Sequence, residues 1–162
     1  KTDTATGTYA YKFDENGKIR WKKQTEIINN SRHEYFIGFT YDKRGNLVEI
    51  LNKAFYGNSP SDKAVPEYEN KTMYEYDLKN RIRKTLRYES GEIKEEKEFD
   101  KYYNQVLVKY YTGGTLNREM KYEYEFDAHG NWIERKTFLK QHTSQDKNWI
   151  PVFAETRKIV YY

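Results

Sequence analysis

The sequence contains no cysteine, only three prolines and no long apolar run. Without cysteine, the chain has no disulfide framework, no thiolate nucleophile and no cysteine-based metal site. Its uninterrupted apolar runs are a few residues long, far short of the roughly 20 residues that a membrane-spanning helix needs. Leucine, isoleucine, valine and phenylalanine together make up 31 of the 162 residues, a fraction at which disorder becomes a fair expectation.

Tyrosine and mixed charge take the place of the missing aliphatic residues. The chain has 17 tyrosines, 8 phenylalanines and 3 tryptophans, and a net charge of only +4. Disorder requires few aromatic residues and a large net charge, so we predict one folded domain that buries tyrosine. The positive and negative charges are interspersed, which is typical of a solvated sheet face and gives no basic stripe for nucleic acid. We therefore expect no nucleic-acid partner.

One phrase recurs five times along the chain. It consists of an aromatic residue, any residue, an aromatic residue, Asp, two variable residues, Gly or Asn, a polar residue and an apolar one. The copies span residues 11–19, 39–47, 74–82, 99–106 and 124–132. The copy at 99–106 is degenerate, and we interpret it as carrying one extra residue. Successive aspartates stand 23 to 35 residues apart, a spacing that accommodates two strands and two turns.

The phrase has the chemistry of a hairpin. Asp at the first turn position accepts a hydrogen bond from the backbone two residues on. Gly or Asn three residues later supplies the left-handed conformation that ends a type I turn with a bulge. The two-residue alternation before Asp predicts strands, and no stretch has helical periodicity with caps. We assign a structural turn role to Asp14, Gly17, Asp42, Gly45, Asp77, Asn80, Asp127 and Gly130.

The predicted fold is all-β, an antiparallel meander of about ten strands built from five hairpin repeats. Burial of the aromatic face predicts that the sheet curls into a barrel or half-barrel with tyrosine and phenylalanine inward. We expect a single domain over 1–162, with repeats near 8–28, 33–57, 70–89, 93–111 and 118–140 and a final strand at 152–162.

A three-residue loop also predicts the register of each hairpin. Next to the turns it pairs Phe13 with Ile19, Tyr41 with Leu47, Tyr76 with Ile82 and Phe126 with Trp132. Continued without interruption along the strands, the same register pairs Tyr11 with Trp21 and Glu123 with Arg135.

The phrases Phe-Thr-Tyr-Asp-Lys-Arg-Gly-Asn-Leu at 39–47 and Tyr-Glu-Phe-Asp-Ala-His-Gly-Asn-Trp at 124–132 resemble the YD repeat of Rhs-type and related bacterial surface proteins. The resemblance covers roughly residues 8–140. It implies a wound or curled sheet, a secreted, periplasmic or cell-surface location, and roles in encapsulation, carbohydrate contact or cell-surface interaction. A lipid anchor upstream of Lys1 is compatible with it. The repeat brings no catalytic residues and no cofactor.

Two functions from different classes stay open. The first is a non-catalytic module that binds a glycan or a protein partner, without metal or cofactor, through platforms for which Trp21, Trp132 and Trp149 are the candidates. A partner strand on an exposed sheet edge is one form of it. The second is a glycan-processing enzyme with an acid/base carboxylate pair in a barrel mouth. Its candidates are Glu92, Glu95, Glu96, Glu98 and Asp100, although neighbouring lysines favour cross-strand ion pairs.

Overall fold

Eleven strands and no helix are present in the described part of the chain. The computed structural model describes residues 6–28, 31–57, 65–142 and 148–161. The strands are β1 (Thr6–Phe13), β2 (Ile19–Ile28), β3 (Ser31–Tyr41), β4 (Leu47–Tyr56), β5 (Tyr68–Tyr76), β6 (Ile82–Glu89), β7 (Glu92–Phe99), β8 (Gln105–Thr112), β9 (Thr115–Phe126), β10 (Trp132–Gln141) and β11 (Ile150–Thr156). No helix capable of crossing a membrane occurs among the described residues.

All eleven strands belong to one antiparallel sheet whose order follows the chain from β1 to β11. The predicted all-β meander is therefore confirmed. At the two ends of that order, β1 and β11 each pair with a single described strand. The sheet is consequently not closed into a barrel, and the closed-barrel alternative is wrong.

The strands group into two compact units. Unit 1 comprises Lys1–Glu75 and Arg87–Glu92, and unit 2 comprises Tyr76–Leu86 and Ile93–Tyr162. The last strand of unit 2 begins two residues earlier than predicted and ends at Thr156, well before 162. One further backbone bond to β10 follows the strand, from the Arg157 amide to the Ile133 carbonyl at 2.9 Å, and beyond it the Tyr161 hydroxyl reaches the Asp127 carboxylate. Tyr162 lies outside the described residues.

The repeated turns have the local geometry that the phrase predicts. Gly45 and Gly130 have φ of 84° and 80°, in the left-handed region that favours glycine. Asn80 takes the same position in its copy with φ of 60°, because Asn tolerates this conformation better than other side chains. In the second copy the amide of Gly45 donates to the Asp42 carbonyl at 2.9 Å, which closes the turn.

The degenerate copy has no extra residue, contrary to the sequence interpretation. The Tyr103 amide donates to the Asp100 carbonyl at 3.2 Å, and Tyr103 occupies the glycine position with φ of 66°. The turn keeps its length because its carboxylate still accepts the amides of Tyr102 and Asn104, at 2.7 and 2.9 Å. A tyrosine thus stands where the backbone favours glycine.

We expect Tyr103→Gly to stabilise the protein by about 1 kcal/mol. The substitution removes the left-handed penalty of a side chain, and the entropy that glycine adds to the unfolded chain offsets part of the gain. Urea denaturation measures the shift in the midpoint. The matched substitution at the neighbouring Tyr102, which is similarly exposed and has no positive φ, should not stabilise. A midpoint lowered by Tyr103→Gly would mean that the Tyr103 side chain stabilises the fold by more than its left-handed backbone conformation costs.

A bulge that recurs after the turns changes the register on which the sequence analysis relied. Phe13–Ile19, Tyr41–Leu47 and Phe126–Trp132 pair as predicted. The register then slips by one, since Arg20, Val48, Val106 and Ile133 are skipped in their ladders. The predicted pairs Tyr11–Trp21 and Glu123–Arg135 are therefore wrong. Trp21 pairs with Lys12 and Glu123 with Lys136, while Tyr76–Ile82 stays a prediction.

A tyrosine hydroxyl supports this bulge in each unit. In unit 1 the Tyr41 hydroxyl donates to the Ile19 carbonyl at 3.2 Å. In unit 2 the Tyr124 hydroxyl donates to the Gln105 carbonyl at 2.9 Å. Both acceptors stand five residues after the turn Asp and directly before the skipped residue. Since bulges interrupt the ladder, the hydroxyl supplies a donor where ladder pairing is disturbed.

Little of the aromatic surface is fully buried. Among the described residues, the buried apolar side chains are Ala54 in unit 1 and Val108 in unit 2. Tyr9 and Phe13, by contrast, are 62% and 55% exposed. The prediction that aromatic residues point into a core is wrong for these two, because each is more than half exposed.

Candidate ligand-binding surface

The three tryptophans that the sequence singled out are half-buried. Trp21 packs against Phe36 with ring centroids 6.0 Å apart. The Arg157 guanidinium lies 3.9 Å from the ring centroid of Trp132, and Trp149 has two lysine amines at 5.8 Å. Because of the bulge, Trp21 lies on the face of the sheet opposite Tyr11. None of the three presents a free aromatic platform of the kind that the sequence analysis expected.

The turn aspartates are occupied by their own backbone. In four copies one carboxylate oxygen accepts the amides two and four residues on, at 2.8 to 3.0 Å; the residues are Asp14, Asp42, Asp77 and Asp127. The Arg81 amide and guanidinium hold the pKa of Asp77 at about 2. A carboxylate that is engaged in this way stabilises its own turn.

Two buried carboxylates, one in each unit, form charge clusters. Glu34 contacts the Lys23 amine at 2.7 Å and the Arg32 guanidinium at 2.5 Å. Glu96 contacts the amines of Lys109 and Lys84 at 2.8 and 3.2 Å.

Burial by itself raises the pKa of each of these carboxyl groups. The hydrogen bonds and positive charges of the two cations outweigh that effect, so the pKa of Glu34 and the pKa of Glu96 both lie below the usual value. Both groups are therefore charged at neutral pH.

The carboxylates predicted for catalysis are mostly engaged in ion pairs or turns. Glu95 contacts the Lys97 amine at 2.8 Å, and Glu98 lies 3.8 Å from the Lys109 amine. Asp100 holds its own turn. Hydrogen-bonded ion pairs favour the charged carboxylate, whereas a general acid needs a raised pKa. The arrangement around Glu96 thus opposes the acid role that the sequence left open for it.

We expect acid to destabilise the protein as the pH falls below about 4.5. A carboxyl group whose pKa is lower in the folded state contributes stability above its unfolded pKa. That contribution is lost as the pH falls through the folded pKa, and Glu34 and Glu96 behave in this way. Urea midpoints between pH 7 and pH 3 measure the loss. Glu96→Gln should reduce the loss, whereas Glu98→Gln should not, because the half-buried Glu98 lies 3.8 Å from its cation, the Lys109 amine. Equal profiles for Glu96→Gln and wild type would contradict this role.

The aromatic surface that the structure does present lies on one face of unit 1. The registers of four adjacent strand pairs align Tyr9, Gln24, Tyr35, Ala54 and Tyr68 in a line across β1 to β5. We call this line the tyrosine row. Its tyrosines stand on alternate strands, and Gln24 and the buried Ala54 separate them.

A second line runs beside the tyrosine row, two residues further along the strands. It contains Tyr11, Lys22, Ile37, Asn52 and Asn70, and we call it the flanking row. Because alternate residues of a strand share a face, both rows face the same way. The strand rise places them about 7 Å apart.

A shallow groove joins the two rows at β1 to β3. Its volume is about 90 Å³, and its lining includes Tyr9, Tyr11, Lys22, Gln24 and Tyr35. This volume is far below that of a pocket that encloses a small molecule. A ligand would therefore lie across the groove and extend beyond it over the sheet face.

The groove combines aromatic surface with hydrogen-bonding groups. Tyr9 and Tyr11 are 62% and 51% exposed. Burial raises the pKa of the Tyr35 hydroxyl, and Tyr56, with which it shares a hydrogen bond, and Glu26 raise it further, so this hydroxyl stays protonated at neutral pH. Lys22 is exposed and forms no ion pair with any described residue.

Sequence reasoning missed this surface for an identifiable reason. It ranked candidates by ring size and chose tryptophan, whereas exposure is decided by the register of distant strands. The alternation at Tyr9 and Tyr11 was visible, but the alignment of Tyr35 and Tyr68 with them depends on two further connections. One of these connections contains residues 58–64, which lie outside the described residues.

Neither a metal centre nor a known family accounts for the surface. In the described ranges no group of three or more histidine and carboxylate side chains is arranged to hold a metal ion. In comparisons with known proteins, no family model matches the chain, and no curated protein matches it significantly.

Proposed function

We propose that the protein is a non-catalytic, extracytoplasmic module that binds a glycan through the tyrosine row. The observation that carries the proposal is the row itself: Tyr9, Tyr35 and Tyr68 share one face of unit 1, and Tyr9 and Tyr68 are 62% and 48% exposed. Tyrosine rings stack on the apolar faces of sugars, and their hydroxyls bond sugar hydroxyls.

The resemblance of the repeats to YD repeats supports the extracytoplasmic location. In this proposal the five hairpins are YD-like repeats of a secreted, periplasmic or cell-surface bacterial protein. The sheet they form is open and curled, and a glycan or a protein partner is engaged from one face. The engagement of Glu95, Glu96 and Asp100 in ion pairs and turns supports a binding role over hydrolysis.

We expect glycan-array binding that depends on the tyrosine row, without turnover of the bound glycan. Tyr9→Ala should weaken binding about tenfold, since an exposed aromatic anchor contributes more than 1 kcal/mol. The control is Tyr102→Ala in unit 2, which removes a tyrosine of similar exposure. Equal loss in both variants, or no loss in either, would contradict the proposed site.

A hydrolysis screen on the purified protein tests the second class of function. Release of reducing ends from a bound glycan, abolished by Glu96→Gln, would favour the enzyme with a carboxylate pair. Binding without release favours the module. Unchanged urea midpoints in Tyr9→Ala and Tyr102→Ala show that both variants are folded, which their exposure leads us to expect.

A further inference from the structure

The spacing of the tyrosine row carries information about the shape of its ligand. Neighbouring strands lie about 4.8 Å apart, so tyrosines on alternate strands repeat about every 9.6 Å. Two sugar residues of an extended β-1,4-linked chain cover about the same distance. In such a chain successive residues are rotated by about half a turn, so every second sugar presents the same face.

The residues between the tyrosines fit the same ligand. Ala54 is buried between Tyr35 and Tyr68, so it offers no stacking surface to a sugar at that position. Gln24, between Tyr9 and Tyr35, donates its Nε2 to the Glu26 carboxylate at 2.5 Å, and its amide oxygen can accept a hydrogen bond from a hydroxyl of such a sugar. The row thus alternates stacking positions with non-stacking positions.

The flanking row places a positive charge where the substituents of such a polysaccharide would lie. Lys22 lies beside Gln24, exposed and without an ion-pair partner among the described residues. The other lysine of the groove, Lys23, is neutralised by Glu34 at 2.7 Å. Asn52 and Asn70 continue the row with amide groups. Lys23 also alternates with Lys22 and lies on the opposite face of the sheet, so Lys22 is the cation that the described lining of the groove offers to an acidic ligand.

We infer that the ligand is an extended, β-linked acidic polysaccharide that lies across the strands of unit 1. Tyr9, Tyr35 and Tyr68 stack on every second sugar, and Lys22 pairs with a carboxylate of the chain. This inference rests on the proposed function and names the ligand class of the same site. From β1 to β5 the row spans about 19 Å, so four to five sugars fill it.

The experiment compares three oligosaccharide series of two to eight sugars by calorimetric titration of the full chain. The series are β-1,4-linked mannuronate oligomers, neutral cello-oligosaccharides with the same linkage, and α-1,4-linked malto-oligosaccharides, which coil. We expect mannuronate oligomers to bind best, with affinity rising by about tenfold up to four to five sugars and then levelling. Tyr68→Ala should remove most of the gain from added length while leaving the affinity for the dimer nearly unchanged.

Lys22→Gln tests the charge, with Lys12→Gln on the neighbouring strand as the matched control. Because Lys12 pairs with Trp21, it lies on the opposite face of the sheet. We expect Lys22→Gln to weaken mannuronate binding about two- to fivefold and to leave cello-oligosaccharide binding unchanged. Lys12→Gln should change neither.

Two results would overturn the inference. Malto-oligosaccharides that bind as well as the β-linked series would exclude an extended chain, and cello-oligosaccharides that bind as tightly as mannuronates would exclude an acidic one. In both cases glycan binding itself survives. Absence of binding to all three series, together with a blank glycan array, would instead contradict the proposed function.

Discussion

Val108→Asp is expected to unfold unit 2 or to leave it barely stable. Val108 on β8 is fully buried, between Lys97 of β7 and Met120 of β9 in the sheet register. A carboxylate at this position has lost its water, and no change of rotamer returns it to solvent. An uncompensated buried charge costs about 3–5 kcal/mol, a large part of the stability of a domain of this size.

Urea denaturation followed by tyrosine fluorescence measures this loss. The matched control is Val152→Asp, the same substitution at an exposed position of β11. We expect the control to change the free energy of unfolding by less than about 0.5 kcal/mol, as is usual at the surface. Similar losses in both variants would show that burial at Val108 is not what holds these strands together.

Gly130→Val is expected to destabilise the protein by about 1–3 kcal/mol, because it forces a β-branched residue into the left-handed region. A side-chain carbon built at Gly130 meets nothing within 4 Å, so the loss isolates backbone strain from steric clash. The Asp127 carboxylate accepts the neighbouring amides of this turn at 2.9 Å, and that network requires the same backbone.

Gly130→Asn is the control, since Asn80 adopts φ of 60° at the equivalent position of its own turn. We expect Gly130→Asn to be nearly neutral in a urea melt. If both variants have unchanged midpoints while glycan binding is lost, the turns serve the ligand and their structural assignment fails. If both are equally destabilised, something other than the positive φ is responsible.

Local chemistry was sufficient to predict the turns and the class of fold. Asp followed after three residues by Gly or Asn encodes a turn whose backbone amides are satisfied within five residues, so its geometry does not depend on a distant contact. The pair Phe13–Ile19 follows directly from such a loop. The turn at Tyr103 was predicted with an extra residue because tyrosine is unfavourable in the left-handed conformation that the rest of this turn requires.

The register beyond each turn was decided by tertiary structure. The bulge after the first turn places Trp21 opposite Lys12. Trp21 therefore lies on the opposite face of the sheet from Tyr11, its predicted partner. A bulge of this kind is supported by a hydrogen bond from another repeat, as Tyr41 provides for Ile19. Sequence reading within one hairpin contains no such information.

The sequence by itself determined that the chain is an all-β meander punctuated by Asp-Gly turns, because those features depend on alternation and on local backbone bonds. Only the tertiary structure decided which aromatic residues face outward together. Tyr9, Tyr35 and Tyr68 are far apart in the chain and become one row through the registers of four strand pairs. A slip of one residue in any of these registers reverses which side chains share a face. The class of fold therefore follows from local sequence, whereas the composition of the exposed surface depends on pairing between strands that are distant in the chain.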